Sequence, residues 1–260
     1  MAANQIELSE MIAKMKPKAR AEALACDLTP QAYPFDAIKR AEEVERVVMQ
    51  GDKRLYYKFR VQDFYGGVAT ADTIGCNIMC AYCWNYGRNI NPCAVTGAKF
   101  VGPVEVASRL DKMREKNFGL SGRISGAEPF LGEASTNHIA RVLEACHISN
   151  FIIETNAIML GYQPELIDLL KAERPLIRVT LKADNADTFE KITGAKGEAF
   201  NYQIEAIKAL RKAGIRHDIA AMPEFCNKRT LERLAGNQSI ELENLRYYAS
   251  TRRNLKARGL

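Results

Sequence analysis

The sequence predicts an α/β protein built around a parallel sheet with helices on the outside. Segments rich in β-branched and aromatic residues alternate along the chain with helical segments of ten or more residues, which is typical of repeated strand–helix–strand units. With 260 residues, of which 47% are hydrophobic, the chain can bury a full core of this kind. Right-handed crossovers between the strands would curl the sheet.

The N-terminal region is predicted to be helical and polar, and then to change to β-structure. Pro30 and Pro34 break the helical run. The apolar residues at helical intervals are Ala19, Ala23, Leu24, Ala37, Ile38, Val44, Val47 and Val48. Residues 53–60 are rich in β-forming side chains, and a turn at 65–67 leads into a strand at 68–70.

Helices and strands alternate through the remainder of the chain. Helices are expected to begin behind Pro103 and Pro164, and one ends at Gly214. Their apolar faces are Val106, Leu110 and Met113, then Ile139, Val142, Leu143 and Cys146 behind a cap at Thr136, then Ile167 and Leu170, then Phe200, Ile204, Ile207 and Leu210. Strands are predicted at 120–125, 151–156, 176–182, 215–222 and 240–248.

Three of the seven cysteines lie within eight residues, directly after a predicted strand. They are Cys76, Cys80 and Cys83, in the spacing Cys-x3-Cys-x2-Cys, and Gly75 loosens the turn that carries them. Four-iron clusters normally take four thiolates, so three supplied locally would leave one iron open to a non-protein ligand. Structural zinc sites favour four ligands in Cys-x2-Cys pairs. The spacing therefore favours an iron–sulfur cluster over zinc.

With the aromatic Tyr82 before its last cysteine, this motif resembles the signature of the radical S-adenosylmethionine (SAM) superfamily. The resemblance implies that the open iron chelates the amino and carboxylate groups of SAM. It implies that an electron from one 4Fe-4S cluster then breaks the sulfonium C–S bond, which gives methionine and a 5′-deoxyadenosyl radical that abstracts hydrogen from a substrate. The fold it implies is a partial (β/α)6 TIM-like barrel, open on one side. We expect an N-terminal helical and β extension at 1–65 and a radical SAM core at 66–260.

Polar side chains share one face of two neighbouring predicted strands. Arg178, Thr180 and Lys182 alternate with apolar residues, and Glu154 and Asn156 project together from the strand before them. Buried polar groups must be paired or must serve a ligand. The pattern therefore predicts a site inside the sheet, and the alternative is an edge strand that faces water.

The resemblance assigns SAM contacts to these strand ends. Small activases of glycyl-radical enzymes have similar acid-Thr-Asn and polar-Leu-Lys strand ends, which hold the methionine carboxylate and the ribose hydroxyls. Carried over, Glu154 and Asn156 would face ribose or methionine, Thr180 would hydrogen-bond, and Lys182 would pair with the carboxylate.

Three further SAM contacts follow from the same resemblance. The family has Gly-Gly-Glu-Pro where this chain has Gly126-Ala127-Glu128-Pro129, and the exposed backbone there binds the methionine ammonium. Glu128 would either lie near the ammonium or orient the loop. Met222 lies at the end of a predicted strand, where family members commonly contact adenine, although a core role is the alternative. Tyr82 would either stack on adenine or shield the cluster.

The remaining cysteines do not form a second motif. Cys26, Cys93 and Cys226 are widely scattered, which disfavours an auxiliary cluster, and Cys26 is expected to be a core or free thiol. No stretch of about 18 apolar residues occurs, and the first residues lack a basic region followed by an apolar core. We therefore expect a cytoplasmic protein without a membrane segment, in a reducing compartment where thiols bind metal and do not cross-link.

Positive charge is concentrated at the C-terminus. The chain has a net charge of +6, and its last fifteen residues contain no acid. The cations there are Arg246, Arg252, Arg253, Lys256 and Arg258. They form either a solvated helix face or a docking patch for an anionic partner, such as RNA, an acidic protein or a flavodoxin- or ferredoxin-like electron donor.

The resemblance is specific for the superfamily and leaves the reaction open. An activase-like enzyme acting on a partner protein is the first expectation. Wybutosine-synthesis enzymes, which act on tRNA, are similar at Cys83-Trp84, at Asn91-Pro92 and over 143–157, but their second cluster needs an N-terminal cysteine set where this chain has only Cys26. An RNA-modifying enzyme is therefore the alternative, and an iron–sulfur electron carrier is less favoured than either.

Overall fold

The computed structural model describes residues 26–117, 119–173, 175–236, 238 and 240–260. Its strands are β1 Met49–Gln50, β2 Lys53–Gln62, β3 Val68–Thr73, β4 Lys99–Val101, β5 Ser121–Ser125, β6 Phe151–Thr155, β7 Leu176–Leu181, β8 His217–Ala221 and β9 Ile240–Leu242. The predicted helical residues Ala19, Ala23 and Leu24 lie outside the described part of the chain.

The helices alternate with these strands. They are α1 Ala37–Val48, α2 Tyr86–Ile90, α3 Pro103–Lys116, α4 Glu133–Ala145, α5 Ile158–Tyr162, α6 Ala186–Thr193, α7 Ala199–Lys212, α8 Lys228–Ala235 and α9 Ala249–Ala257. Short 3-10 helices occupy Phe64–Gly66, Pro92–Ala94, Pro164–Leu170 and Pro223–Phe225. Within the described residues, none of the helices combines the length and the apolar character needed to cross a membrane.

All strands belong to one nine-stranded sheet in the order β1-β2-β3-β5-β6-β7-β8-β9, with β4 also paired to β2. The strands from β3 through β5 to β9 are parallel and follow one another in chain order. β1, β2 and β4 add antiparallel strands beside β3. Among the described strands β1 and β9 stand at opposite ends of this order, so the sheet does not close. The predicted partial barrel, open on one side, is confirmed.

The strand that carries the predicted polar face lies inside the sheet. β7 pairs with β6 through Glu154 and Arg178, and with β8 through Thr180 and Ala220. Arg178 is only 3% exposed and Thr180 only 8% exposed. The alternative of an edge strand facing water is therefore wrong. The opposite face packs on the helices, with Ile177, Val179 and Leu181 in the main core.

The start of α4 differs from the sequence prediction. Thr136 was predicted to cap this helix, but the helix begins at Glu133 behind Gly132. The Ser135 hydroxyl accepts from the backbone N–H of Leu131 and Gly132, and the Thr136 hydroxyl donates to Gly132 O at 2.7 Å. The Ser135 hydroxyl, and not that of Thr136, bonds the N–H groups that precede the helix. Thr136 therefore lies inside the first turn.

The last strand is shorter than predicted. Ile240–Tyr248 was expected as one strand, but β9 ends at Leu242. Among the described strands, β9 lies at the edge of the sheet and pairs with β8 alone. The chain therefore leaves the sheet after Glu243, whose N–H still bonds Ala221 O at 2.9 Å.

A disulfide joins Cys26 to Cys93, with the Cα atoms 5.8 Å apart. The expectation that Cys26 is a core or free thiol, and that the thiols of this chain do not cross-link, is therefore wrong. The two segments meet because Leu28 N–H bonds Ile90 O at 2.8 Å, a contact that no local pattern announces. The other five cysteines are free.

Candidate active site at the carboxyl ends of the strands

The three-cysteine loop follows β3 at the carboxyl edge of the parallel strands. Met79 N–H bonds Thr193 O at 3.0 Å and Ala81 N–H bonds Ile192 O at 2.8 Å, so the loop is held against the end of α6. Gly75 has φ +93°, and a Cβ there would lie 2.6 Å from a methyl group of Val44. Only glycine fits where the chain turns into the cysteine motif.

The thiols of Cys76, Cys80 and Cys83 lie close enough to affect one another's ionisation. Burial raises the pKa of Cys83 to about 12, and it raises the pKa of Cys76 and Cys80 above the ordinary value as well. Within the described residues, no three His, Cys, Asp or Glu side chains converge on one metal-ion position. A four-iron cluster does not need such convergence, because each thiolate binds a different iron.

Two side-chain amides face the cysteine sulfurs. Asn89 Nδ2 lies 3.9 Å from Cys83 Sγ, and Asn156 Nδ2 lies 3.8 Å from Cys76 Sγ. Asn156 also donates to Asn77 Oδ1 at 2.8 Å, whereas Asn77 Nδ2 is buried without a hydrogen-bond partner. N–H donors to sulfur are among the features that tune iron–sulfur centres. The three thiols and the two amide donors fit an iron–sulfur cluster. The unsatisfied Asn77 Nδ2 fits a polar ligand beside it.

Glu128 ties the loop after β5 to the neighbouring strand end. Its carboxylate accepts from the Thr155 hydroxyl at 2.5 Å, from Asn156 N–H at 2.7 Å and from Phe130 N–H at 3.1 Å. Its own N–H donates to Gly75 O at 3.1 Å. Burial raises the pKa of Glu128 to about 7. Because the carboxylate of Glu128 accepts these three hydrogen bonds, its role is to orient the loop.

Gly126 and Ala127 precede Glu128 at the end of β5. Gly126 has φ +93°, and a Cβ there would lie 2.9 Å from Thr73 O. The Asn85 side chain donates to Gly126 O, which links this turn to the segment after Cys83. The backbone path of the turn therefore depends on the glycine, while Ala127 occupies the second glycine position of the family pattern.

Gln203 is a site residue that the sequence analysis missed. It is fully buried on α7, and its Nε2 donates to Asn156 O at 2.7 Å and to Thr180 O at 3.0 Å. Its Oε1 accepts from Lys182 N–H at 3.3 Å. Gln203 therefore links the ends of β6 and β7. The sequence does contain a sign of this role, because Gln203 is a polar residue on the apolar face of an amphipathic helix, three residues after Phe200.

Lys182 brings a positive charge to the cysteine loop. It follows β7, and its ammonium interacts with Cys80, Cys83 and Glu128. In the part of the chain that the structure describes, no carboxylate lies within ion-pair distance of Lys182. The ammonium is therefore available to a negatively charged ligand.

The structure separates Glu154 from Asn156, which the sequence placed on one face. Asn156 contacts the cysteine loop, whereas Glu154 accepts from Arg123 at 3.2 Å, from Ser125 at 2.5 Å and from the Tyr65 hydroxyl at 3.0 Å. Burial alone would raise the pKa of Glu154, but the charge of Arg123 and the Ser125 bond outweigh it and lower the pKa. Tyr65, on the turn before β3, was not expected in this network.

Tyr82 contacts Phe225, whose N–H bonds the backbone oxygen of Met222 at 3.1 Å. The Tyr82 ring stacks on the Phe225 ring with the centroids 5.4 Å apart, and its buried hydroxyl lies near Cys80 without a hydrogen bond of normal geometry. Met222 is half-buried directly after β8. Trp84, next to Cys83, is 47% exposed, with the guanidinium of Arg60 5.6 Å from its ring.

Comparison with known proteins gives one family and several related folds. Residues 71–234 match the radical SAM superfamily. No curated protein matches the chain in sequence. Several solved structures are also similar, but their sequence identity to this chain is low enough that they show the fold alone.

Two solved structures illustrate that fold. The first is HydG, a maturase of the [FeFe]-hydrogenase, with TM-score 0.50 and 14% identity over 94% of this chain and 57% of that one. The second is Streptococcus suis SuiB bound to S-adenosylmethionine, with TM-score 0.50 and 17% identity over 73% of this chain and 47% of that one. The matched part spans about half the length of these larger proteins.

Proposed function

Because the chain belongs to the radical SAM superfamily, we propose that it is an enzyme that cleaves SAM reductively and uses the 5′-deoxyadenosyl radical to abstract hydrogen from a substrate. Cys76, Cys80 and Cys83 would hold one 4Fe-4S cluster. When bound, the cluster supplies the electron that breaks the sulfonium C–S bond. The observation that carries this proposal is the loop of three mutually interacting thiols, one buried and two half-buried, at the carboxyl edge of the sheet.

Residues around the loop would bind and orient SAM. Lys182 would pair with the methionine carboxylate, which is supported by an ammonium without an ion pair in the described part of the chain. The turn at Gly126 and Ala127 would bind the methionine ammonium through its backbone, with Glu128 fixing the turn from behind.

The remaining proposed contacts concern ribose and adenine. Asn156 and Thr180 would hydrogen-bond to SAM from strand ends that Gln203 holds together. Glu154 would hydrogen-bond to the ribose only if it lost one of its present bonds to Arg123 and Ser125. Met222 would contact adenine, while Tyr82, stacked on Phe225, would shield the cluster from water.

A reducing partner is part of this proposal. α9 packs on the cysteine loop, where the Thr251 hydroxyl donates to Tyr82 O at 3.5 Å. Arg252 and Lys256 of the same helix are exposed. A flavodoxin- or ferredoxin-like donor with an acidic surface would dock on this basic helix, close to the cluster it reduces.

We propose a partner protein as the substrate, and RNA as the second candidate. RNA is favoured by exposed aromatic rings beside guanidinium groups, since such pairs stack on unpaired bases and neutralise phosphate. The Arg252 guanidinium lies 5.0 Å from the exposed Tyr247 ring, and the Arg60 guanidinium lies 5.6 Å from the exposed Trp84 ring.

The test of the enzyme function uses protein reconstituted with iron and sulfide without oxygen. With SAM and dithionite it should release 5′-deoxyadenosine, and the Cys80→Ala variant should not. A tetrahedral zinc site, or a cluster that does not cleave SAM, would contradict the proposal. Binding of tRNA that weakens steeply with salt would favour RNA as the substrate, because phosphate contacts release counterions. Salt-independent or absent binding removes the RNA candidate.

A further inference from the structure

Three arginines from outside the matched core reach the candidate active site. Arg40 lies on α1, Arg54 on β2 and Arg258 directly after α9, whereas the superfamily match covers 71–234. Arg40 and Arg54 are buried and Arg258 is half-buried. The segments that flank the matched core therefore place three guanidinium groups at the candidate active site.

Arg40 and Arg258 hold the cysteine loop by its backbone. Arg40 Nε donates to Cys76 O at 3.2 Å, and its Nη2 lies 3.3 Å from Met79 Sδ. Arg258 Nη2 donates to Met79 O at 2.6 Å. The two guanidinium groups therefore bind the stretch between the first and second cysteines.

Arg54 holds the loop after β5. Its Nη2 donates to Glu128 O at 2.6 Å and its Nη1 donates to Pro129 O at 3.2 Å, while its Nε is buried without a hydrogen-bond partner. The guanidinium is completely buried. It therefore supports the turn that the proposed function assigns to the methionine ammonium.

None of these guanidinium groups has a carboxylate within ion-pair distance among the residues that the structure describes. A buried charge without a counter-charge destabilises the folded state. Arg40 and Arg54 both interact with Cys76, and Arg258 interacts with Cys80. Glu128 and Glu45 act on Arg54 more strongly than Cys76 does, and Glu43 acts on Arg40, all from beyond ion-pair distance. Thiolates on the cysteine loop are thus a further counter-charge for each of the three arginines.

We infer that Arg40, Arg54 and Arg258 are positioning residues whose charge raises the reduction potential of the cluster. The inference rests on the proposed function, because it requires a cluster on the three cysteines. Taking up one electron from the external reductant adds one negative charge to the site. Fixed cations stabilise the reduced form more than the oxidised form, and they do so strongly where water is excluded. Backbone bonds from the same groups keep the cations in place.

Arg258 offers the cleanest test, because it is half-buried and terminates the last helix. We expect Arg258→Gln to shift the midpoint potential of the reconstituted cluster to a more negative value, at unchanged iron and sulfide content. Arg258→Lys, which keeps the charge, should stay near wild type. Arg229→Gln, which removes an exposed charge on α8, should leave the potential unchanged. The measurement is a redox titration with mediators followed by electron paramagnetic resonance.

The outcomes separate this inference from the function on which it rests. An Arg258→Gln protein with a full cluster and the wild-type potential would overturn the inference and leave the SAM chemistry intact. Loss of the cluster from both Arg258→Gln and Arg258→Lys would show a purely structural contact and would also overturn it. Wild-type protein that binds no four-iron cluster would instead refute the proposed function. Arg54→Lys and Arg54→Gln, compared in the same titration, give a second pair from another segment.

Discussion

Gln203 Nε2 lies 2.7 Å from the backbone oxygen of Asn156, so a side chain of helix α7 fixes the end of strand β6. The same amide reaches Thr180 O and Lys182 N–H on the next strand. Two strand ends that are distant in sequence therefore have their spacing set by one side chain.

Replacing Gln203 should loosen both strand ends. Gln203→Leu leaves the three backbone groups at Asn156, Thr180 and Lys182 buried and unbonded, which we expect to cost about 3 kcal/mol of unfolding free energy. SAM affinity should fall as well, because the Asn156 amide and the Lys182 ammonium, which we propose to bind SAM, lose their support. Chemical denaturation and calorimetric SAM titration measure the two effects. Asn201→Leu, an exposed position of the same helix, is the matched control.

Removing the ammonium of Lys182 should separate cluster binding from SAM binding. Lys182→Met keeps the bulk of the side chain, so we expect iron content near wild type and SAM affinity reduced on the order of ten-fold or more, since a charge-assisted pair is lost. Iron analysis and SAM titration on the same sample provide the measurement. If the cluster disappears together with SAM binding, Lys182 supports the loop and does not contact SAM.

Reversing charge on α9 should slow reduction by a protein donor only. In Arg252→Glu combined with Lys256→Glu, we expect reduction by an acidic flavodoxin at low salt to slow by about ten-fold or more, because steering of the encounter is lost. Reduction by dithionite should not change. Lys208→Glu with Lys212→Glu, exposed on α7, carries the same charge change away from that helix. Equal slowing in both double variants would remove α9 as the docking surface.

Stability should fall in mild acid because of His138. This side chain is buried, its Nδ1–H donates to Asp52 O at 2.7 Å, and its Nε2 accepts from the Tyr56 hydroxyl at 2.9 Å, so the ring is neutral. Burial lowers its pKa to about 4. The unfolded chain therefore binds the proton first, and the contribution of His138 is complete above about pH 6.5 and is lost as pH falls towards 4. The total loss is about 3 kcal/mol.

The His138→Asn variant isolates this contribution. Glu128 acts in the opposite sense, because burial raises its pKa to about 7 and the folded state then binds the proton first as pH falls. The difference in unfolding free energy between wild type and His138→Asn should therefore shrink from pH 7 to pH 4. A difference that is constant over this interval would show that the pKa of the ring is the same in the folded and the unfolded chain.

Local patterns sufficed where the determining residues are neighbours in sequence. The spacing of Cys76, Cys80 and Cys83 lies within one loop, and the alternation of polar and apolar residues around Arg178 reports directly on the two faces of its strand. The cysteine loop directly after a strand and the polar face of the strand at 176–182 could be predicted for that reason.

Long-range contacts could not be predicted in this way. The bond from Arg54 to Glu128 joins residues 74 positions apart, and the Cys26–Cys93 bond spans 67 positions. A buried arginine looks like a surface arginine in a single sequence, since its environment is created only when the sheet has formed. The same holds for Gln203, whose partners lie on two different strands.

The Cys26–Cys93 link bears directly on how this protein must be handled. Assembly of iron–sulfur centres in the test tube commonly relies on excess dithiothreitol or mercaptoethanol, and such thiols attack an accessible disulfide by exchange. A sample prepared in that manner would contain chains with the tether open and chains with it closed. Alkylation and mass analysis of Cys26 and Cys93 before each assay would tell the two populations apart.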